Sequence, residues 1–229
     1  WYRPVRMAAE TAIEKIHMSE DYKTRWHADN FPIEFDVDYR LGFYGYCSET
    51  ALKTLDEGPD KLTEPKDQAK LDLLGHEYKY YKHDGTEVVK TWIPQAALRV
   101  EQGWLAALDN GEWGGWLYLV TDDGKVQDII EDNINNLFRI DNTVFVVAGL
   151  GHLTVDWGEV YKIYFDEDRG WVREEWKTLP GAPRSSGLVE GGRMLVNTTR
   201  GSVVISSDGH IEMAECLDSD QDPALVIHK

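Results

Sequence analysis

Cysteine is nearly absent from this chain of 229 residues, which has only Cys47 and Cys216. Neither lies in a Cys-x-x-Cys pair or at a spacing to histidine that is typical of a zinc site. The two cysteines lie near opposite ends of the strand-rich part of the chain. If those ends meet, the cysteines can form a disulfide that closes a long loop; otherwise they are two separate buried thiols.

Basic residues and long apolar runs are also scarce. The chain has 24 Lys and Arg against 41 Asp and Glu, which gives a formal net charge of −17. A field of this sign repels phosphate backbones and anionic membrane surfaces, so we expect no nucleic-acid partner, whereas a basic protein partner is attracted. No apolar run approaches the length of about 18 residues that a membrane span requires.

The start of the chain, Trp1-Tyr2-Arg3-Pro4, has neither a methionine nor a signal segment. We therefore expect a processed chain, periplasmic or secreted if an export signal was removed and cytoplasmic otherwise.

Motifs of catalysis and of cofactor binding are missing as well. The chain has no GxSxG, HExxH, P-loop or GxGxxG motif that precedes a helix. The acidic run at 218–222 resembles the start of a calcium loop, but Pro223 and Lys229 stand where such a loop needs Gly and Glu. We therefore predict no catalytic residue, no metal and no cofactor, and favour a non-enzymatic protein.

A hairpin signal is present and returns four times. It consists of His83-Asp84-Gly85, Asp122-Asp123-Gly124, Asp168-Arg169-Gly170 and Ser207-Asp208-Gly209. The glycines are 39, 46 and 39 residues apart. Each turn lies between runs rich in β-branched and aromatic residues, which predicts a tight hairpin between two strands.

Two further strands are predicted before each hairpin, so each unit has four. The predicted strands are 33–37, 41–46, 77–82 and 86–92; 97–100, 104–108, 116–121 and 125–130; 136–140, 143–148, 160–165 and 171–176; and 187–189, 193–197, 202–206 and 210–214. A four-stranded unit repeating about every 40 residues resembles a blade of a β-propeller. The WD40 and kelch signatures are absent, so the resemblance is one of architecture.

The resemblance implies an all-β fold, β-propeller-like, with about four four-stranded antiparallel blades that are incomplete or closed by the termini. We expect an N-terminal extension at 1–31 (short helix or strand), the propeller-like domain at 32–216 and an acidic C-terminal tail at 217–229. A two-sheet β-sandwich built from the same short strands is the alternative.

Propeller topology places the connections between second and third strands on one face. These connections are unequal: Cys47 to His76, Asp109 to Gly115, Gly149 to Gly158, and Thr198 to Gly201. Long loops grouped on a rigid scaffold are where binding tends to occur. The partner-binding candidates on them are Glu112, Trp113, His152, Asp156 and Trp157, and the first connection adds the charged residues Asp56, Glu57, Asp60, Lys61, Glu64, Lys66 and Asp67.

These residues predict an acidic rim with exposed tryptophans that captures a partner. The preferred interpretation is an inhibitor or immunity-type protein that caps a basic enzyme or toxin. The alternatives are a carbohydrate-binding module with tryptophans stacked on sugars, and a carboxylate-dependent hydrolase or lyase with a central pocket.

Overall fold

The described part of the protein is built almost entirely from antiparallel β-strands. A computed structural model describes Leu55, residues 57–217 and residues 224–227, with side chains as far as Ala214. Within these residues there are sixteen strands, one short helix, α1 (Gln68–Leu71), and two 3-10 turns (Asp72–Leu74 and Gly111–Trp113). No helix among them is long and apolar enough to span a membrane.

The strands form three larger sheets and one hairpin. Sheet I contains β1 (Lys61–Thr63), β4 (Ala96–Val100), β5 (Gly103–Asp109), β6 (Gly115–Thr121) and β7 (Val126–Ile130). Sheet II contains β8 (Ile134–Ile140), β9 (Thr143–His152), β10 (Val155–Asp166) and β11 (Gly170–Thr178). Sheet III contains β12 (Pro183–Val189), β13 (Arg193–Thr198), β14 (Gly201–Ile205), β15 (Ile211–Leu217) and β16 (Ala224–Ile227). The hairpin pairs β2 (His76–Tyr81) with β3 (Glu87–Trp92).

Each sheet contains one of the predicted four-stranded units, in which neighbours in sequence are neighbours in space. The second, third and fourth units are confirmed as β4–β7, β8–β11 and β12–β15. The last two strands of the first unit are confirmed as the hairpin. The strands predicted at 33–37 and 41–46, and the extension predicted at 1–31, lie outside the described residues.

The four repeated turns adopt the backbone geometry that their glycines predict. Gly85, Gly124, Gly170 and Gly209 have φ angles of 81°, 81°, 76° and 87°. An L side chain is strained in this left-handed region, whereas glycine is not. In three of the turns the glycine N–H donates to the carbonyl three residues earlier, at 2.8 to 2.9 Å.

The sheets pack face to face in chain order. Because strand residues alternate between faces, Leu105 and Ala107 of β5 face sheet II, whereas Ala106 and Leu108 face the hairpin. In sheet II, Val146 faces sheet I and Phe145 faces sheet III. Each fully buried Leu, Val or Phe side chain among these contributes about 1.5–3 kcal/mol, so burial on both faces holds the stack together.

Sheet III is also buried on the face that points away from sheet II. Leu195 and Val204 on that face are 0% and 1% exposed. Asn197 lies two residues further along β13 on the same face, where it is paired with Ser202 and accepts a hydrogen bond from the Ser202 hydroxyl at 2.6 Å. The described residues form a stack of sheets and do not by themselves close a ring.

Two expectations about connections are wrong. The segment from Gly149 to Gly158, expected to be a loop, continues β9 and β10 as a long hairpin that turns at residues 153–154. The charged insertion before His76, expected to be a long loop, contains α1 and also β1, which pairs with β4 of sheet I.

The C-terminal segment also contains a strand. Ala224–Ile227, in the segment expected to be a tail, form β16 at the edge of sheet III.

Candidate functional site

Two connections from neighbouring sheets meet at one end of the stack. The 3-10 turn Gly111–Trp113 joins β5 to β6 of sheet I, and the tip of the β9–β10 hairpin belongs to sheet II. His152 Nε2 lies 3.0 Å from Glu112 Oε2, and the two side chains are 43% and 47% exposed. We call this surface, made of Glu112, Trp113 and residues 152–155, the rim.

The link between sheets I and II fixes the base of the rim. Asn133 lies on that link, and its side-chain amide donates to the Gly111 carbonyl at 2.9 Å. The Asn133 carbonyl accepts the Gly149 N–H at 3.0 Å, so one residue holds both connections. Asp109, whose pKa is raised by burial, accepts the Gly111 N–H at 2.9 Å. The link between sheets I and II therefore lies on the same side as the second-to-third connections of these sheets.

Asp156 ties the hairpin of sheet II to sheet III. Its carboxylate accepts the Ala182 N–H at 2.8 Å, the Thr199 hydroxyl at 2.5 Å and the Arg200 Nε–H at 2.7 Å. Burial favours the neutral acid, but these three hydrogen bonds outweigh it and hold the pKa of Asp156 below its usual value. Asp156 was predicted to contact a partner, and in this structure it joins two sheets.

Exposed apolar side chains lie on both sides of the Glu112–His152 pair. Trp113 is 72% exposed, Leu153 is 92% exposed and Val155 is 40% exposed. Leu153 has a φ of 53°, which is rare for any residue other than glycine, Asn or Asp. Asp141 has the same φ at the turn between β8 and β9, where its residue type suits it. A leucine at the left-handed position of an exposed turn favours neither folding nor solubility.

Leu153 is the rim residue that sequence reasoning missed. Its neighbours were expected to form an irregular loop, in which a leucine carries no conformational meaning. The signal that could have found it is the apolar residue at the centre of a two-residue turn, which becomes visible only when the hairpin is recognised.

The tryptophans of the described residues are mostly packed into the interior. Trp157 is half-buried against the core between sheets I and II. Of the seven described tryptophans, only Trp113 is largely exposed. Sugar binding by several exposed, coplanar rings therefore has little support in this part of the chain.

Lys61 of β1 has a buried side chain that reaches β8 of sheet II. Its Nζ donates to Asn136 Oδ1 at 2.8 Å and to the Leu137 carbonyl, and lies 4.8 Å from the centre of the Phe138 ring. Glu57 Oε1 is 3.7 Å away. Burial lowers the pKa of Lys61 to about 8, although Glu57 opposes the shift. This satisfied ammonium fastens β1 to sheet II.

Two half-buried carboxyl groups lie near Tyr161. The Tyr161 hydroxyl donates to Asp132 Oδ2 at 3.2 Å, and burial raises the pKa values of Asp132 and Glu159. The rim histidine, His152, pairs with Glu112 and not with these acids. Among the described residues, no group of three or more His, Cys, Asp or Glu side chains is arranged to hold a metal ion.

No protein family model, curated protein or solved structure matches this chain.

Proposed function

We propose that this chain is a non-enzymatic binding protein that captures a basic protein partner at the rim. In its most specific form, it is an inhibitor or immunity-type protein that presses the rim into the active-site cleft of a basic enzyme or toxin. The observation that carries the proposal is Leu153, which is 92% exposed at a φ of 53°. Residues held in disfavoured backbone regions cluster at functional sites.

The surroundings of Leu153 support an interface. An exposed tryptophan, Trp113, lies on the neighbouring connection, and tryptophan is enriched among the residues that dominate binding energy. A hydrogen bond from Asn133 anchors the turn at Gly111, and a hydrogen bond to Asp156 anchors the β9–β10 hairpin to Ala182. The apolar groups are therefore presented on a rigid base. A preorganised surface loses less conformational entropy on binding.

The charge of the chain supports a basic partner over a second copy of itself. A formal net charge of −17 repels another copy and accelerates the approach of a basic protein. Glu112 places a carboxylate within the rim itself.

We propose for the fold that the three sheets and the hairpin are blades of a four-bladed propeller. The chain-order stack supports this, and so does the burial of Leu195 and Val204 on the outer face of sheet III.

Affinity capture from an extract of the source cells tests the binding proposal. The wild-type chain is compared with the double variant Trp113→Ala/Leu153→Asn, and recovered proteins are identified by mass spectrometry. We expect a basic protein that the wild type retains and that the double variant loses by at least about tenfold.

The matched control is Leu73→Asn, because Leu73 is 83% exposed and lies in the other 3-10 turn, outside the rim. This variant should retain the same partner. Equal recovery by the double variant and the wild type would contradict the assignment of the rim as the binding surface.

A further inference from the structure

We infer that the rim recognises an arginine side chain of the partner, which stacks on the Trp113 indole and pairs with the Glu112 carboxylate. This inference rests on the proposed function and specifies the chemistry of the partner. Recognition of this kind requires a flat aromatic surface and a carboxylate that are adjacent and exposed and that extend from a fixed segment of backbone.

The turn Gly111–Trp113 provides both groups. Glu112 and Trp113 are consecutive in a single 3-10 turn, with the carboxylate 47% exposed and the tryptophan 72% exposed. The backbone N–H of Trp113 donates to the Asn110 carbonyl at 3.2 Å, and the backbone N–H of Gly114 donates to the Gly111 carbonyl at 3.1 Å. These hydrogen bonds fix the backbone of the turn, so the points from which the two side chains leave it are defined.

The contact with His152 shows that the Glu112 carboxylate is accessible to a nitrogen donor from outside its own turn. The His152 imidazole approaches to 3.0 Å from the adjacent sheet, and the pair is about half exposed. An exposed side-chain contact of this kind contributes little to stability, so an incoming guanidinium can replace the imidazole. We therefore expect the arginine of the partner to displace the His152 imidazole from the Glu112 carboxylate.

Arginine fits this pair of groups better than lysine does. The guanidinium is planar, so it can stack on an indole face while its N–H groups meet a carboxylate in bidentate fashion. The lysine ammonium is a compact, strongly hydrated charge that lacks this geometry. Leu153 follows His152 in the hairpin turn and Val155 is paired opposite it, and the exposed apolar side chains of Leu153 and Val155 offer contacts to residues that flank the arginine.

Peptide titration followed by NMR tests the inference without a known partner. The probe is an acetylated, amidated peptide of four Gly-Arg repeats, with a peptide of four Gly-Lys repeats as the charge-matched comparison. The signal is the Trp113 indole N–H resonance, assigned from its loss in Trp113→Phe. We expect a saturable shift with the arginine peptide and an affinity at least about fivefold weaker for the lysine peptide.

Two variants should change the arginine affinity in opposite directions. Glu112→Gln removes the carboxylate and should weaken binding about fivefold or more. His152→Ala removes the competing imidazole and should strengthen binding about twofold. Equal affinity for both peptides, or no change in Glu112→Gln, would overturn the arginine assignment.

The outcome separates this inference from the proposed function. If a partner is captured through Leu153 but the arginine peptide does not shift Trp113, the arginine anchor is wrong and the binding surface stands. If the arginine peptide binds as expected but no protein depends on the rim, the capture of a protein partner is wrong.

Discussion

Among single residues, Leu153 distinguishes the rim from an ordinary turn, because it is a leucine at a turn position with positive φ. Asp141 and Leu153 both have a φ of 53° in two-residue turns of the same sheet. Aspartate tolerates this region because its short side chain hydrogen-bonds locally, whereas leucine gains nothing from it. The protein therefore retains at Leu153 a residue that lowers its own stability.

Exchanging the residue types at these two turns tests that statement. Leu153→Asn should raise the free energy of unfolding by about 0.5–1 kcal/mol, because asparagine adopts positive φ more readily. Asp141→Leu should lower it by a similar amount. Chemical denaturation of both variants is the measurement, and a loss of stability in Leu153→Asn would show that the leucine packs in the free protein.

Lys61 makes a second prediction at this scale. Its pKa is lowered by burial to about 8 from 10.5 in the unfolded chain, so between these values the unfolded chain binds the proton that the folded protein has lost. The contribution of Lys61 to the free energy of unfolding therefore rises with pH between about 8 and 10.5, by at most about 1.4 kcal/mol per pH unit.

The variant Lys61→Met should lose that rise. The difference in unfolding free energy between the wild type and Lys61→Met, measured from pH 7 to pH 10, should shift in favour of the wild type as pH increases. Lys70→Met, at an exposed position of α1, is the control for removing a lysine. A pH-independent difference for Lys61→Met would show that the ammonium is not desolvated as the structure indicates.

At the scale of elements, β10 shows where sequence reasoning succeeds and where it stops. The strands around the Asp-Gly turns follow from residue type, since β-branched and aromatic residues pack well on a pleated surface. The residues Gly149 and Gly158 were interpreted as loop glycines, yet they are paired opposite each other within the β9–β10 hairpin.

The reason lies in contacts that a single sequence does not display. A Cβ on Gly158 would lie 2.4 Å from the Gly181 carbonyl oxygen, and one on Gly149 would lie 2.4 Å from the Trp157 carbonyl oxygen. These glycines permit close approach of backbones within a strand pair and between sheets. The location of Glu112, Trp113 and His152 on one surface was predictable from topology, whereas the roles of Asp156 and Trp157 depend on such packing.

The junction between β10 and sheet III carries the prediction at this scale. Asp156→Asn should lower the free energy of unfolding at neutral pH by about 1 kcal/mol, a value reduced because the carboxylate is partly exposed to solvent. Because the folded-state pKa of Asp156 is lowered, this contribution is present above the unfolded pKa and is lost as pH falls through the folded-state value.

A backbone variant should affect the same junction independently. A Cβ on Gly181 would lie 2.2 Å from Thr199 Oγ1 and 3.0 Å from Asp156 Oδ1, so Gly181→Ala should also destabilise the protein. Thermal unfolding of the two single variants and the double variant measures the effect. Strictly additive losses would argue against a shared junction.

At the scale of the whole molecule, stacking in chain order and net charge act together. The stack brings connections that are distant in sequence to one rim, and the charge of −17 supplies a long-range field around it. Local sequence signals predicted the repeated units. They could not predict that both faces of sheet III are buried, because that burial depends on packing between distant segments.

The field predicts how capture depends on salt. The association rate of the proposed basic partner should fall by about tenfold or more between low and high ionic strength, because screening removes the long-range attraction. The dissociation rate should change less, since the apolar contacts of Trp113 and Leu153 are not screened. Stopped-flow mixing over a salt series measures both rates, and an association rate that is independent of salt would remove the electrostatic part of the account.

Site-specific photo-crosslinking is the most direct test that the rim receives the partner. A benzoylphenylalanine residue is introduced in place of Leu153, and separately in place of Leu73, which is also largely exposed, and both proteins are irradiated in source-cell extract. The account predicts a crosslinked basic protein from position 153 that is absent from position 73. A product from position 73 alone, or none from position 153, would contradict it.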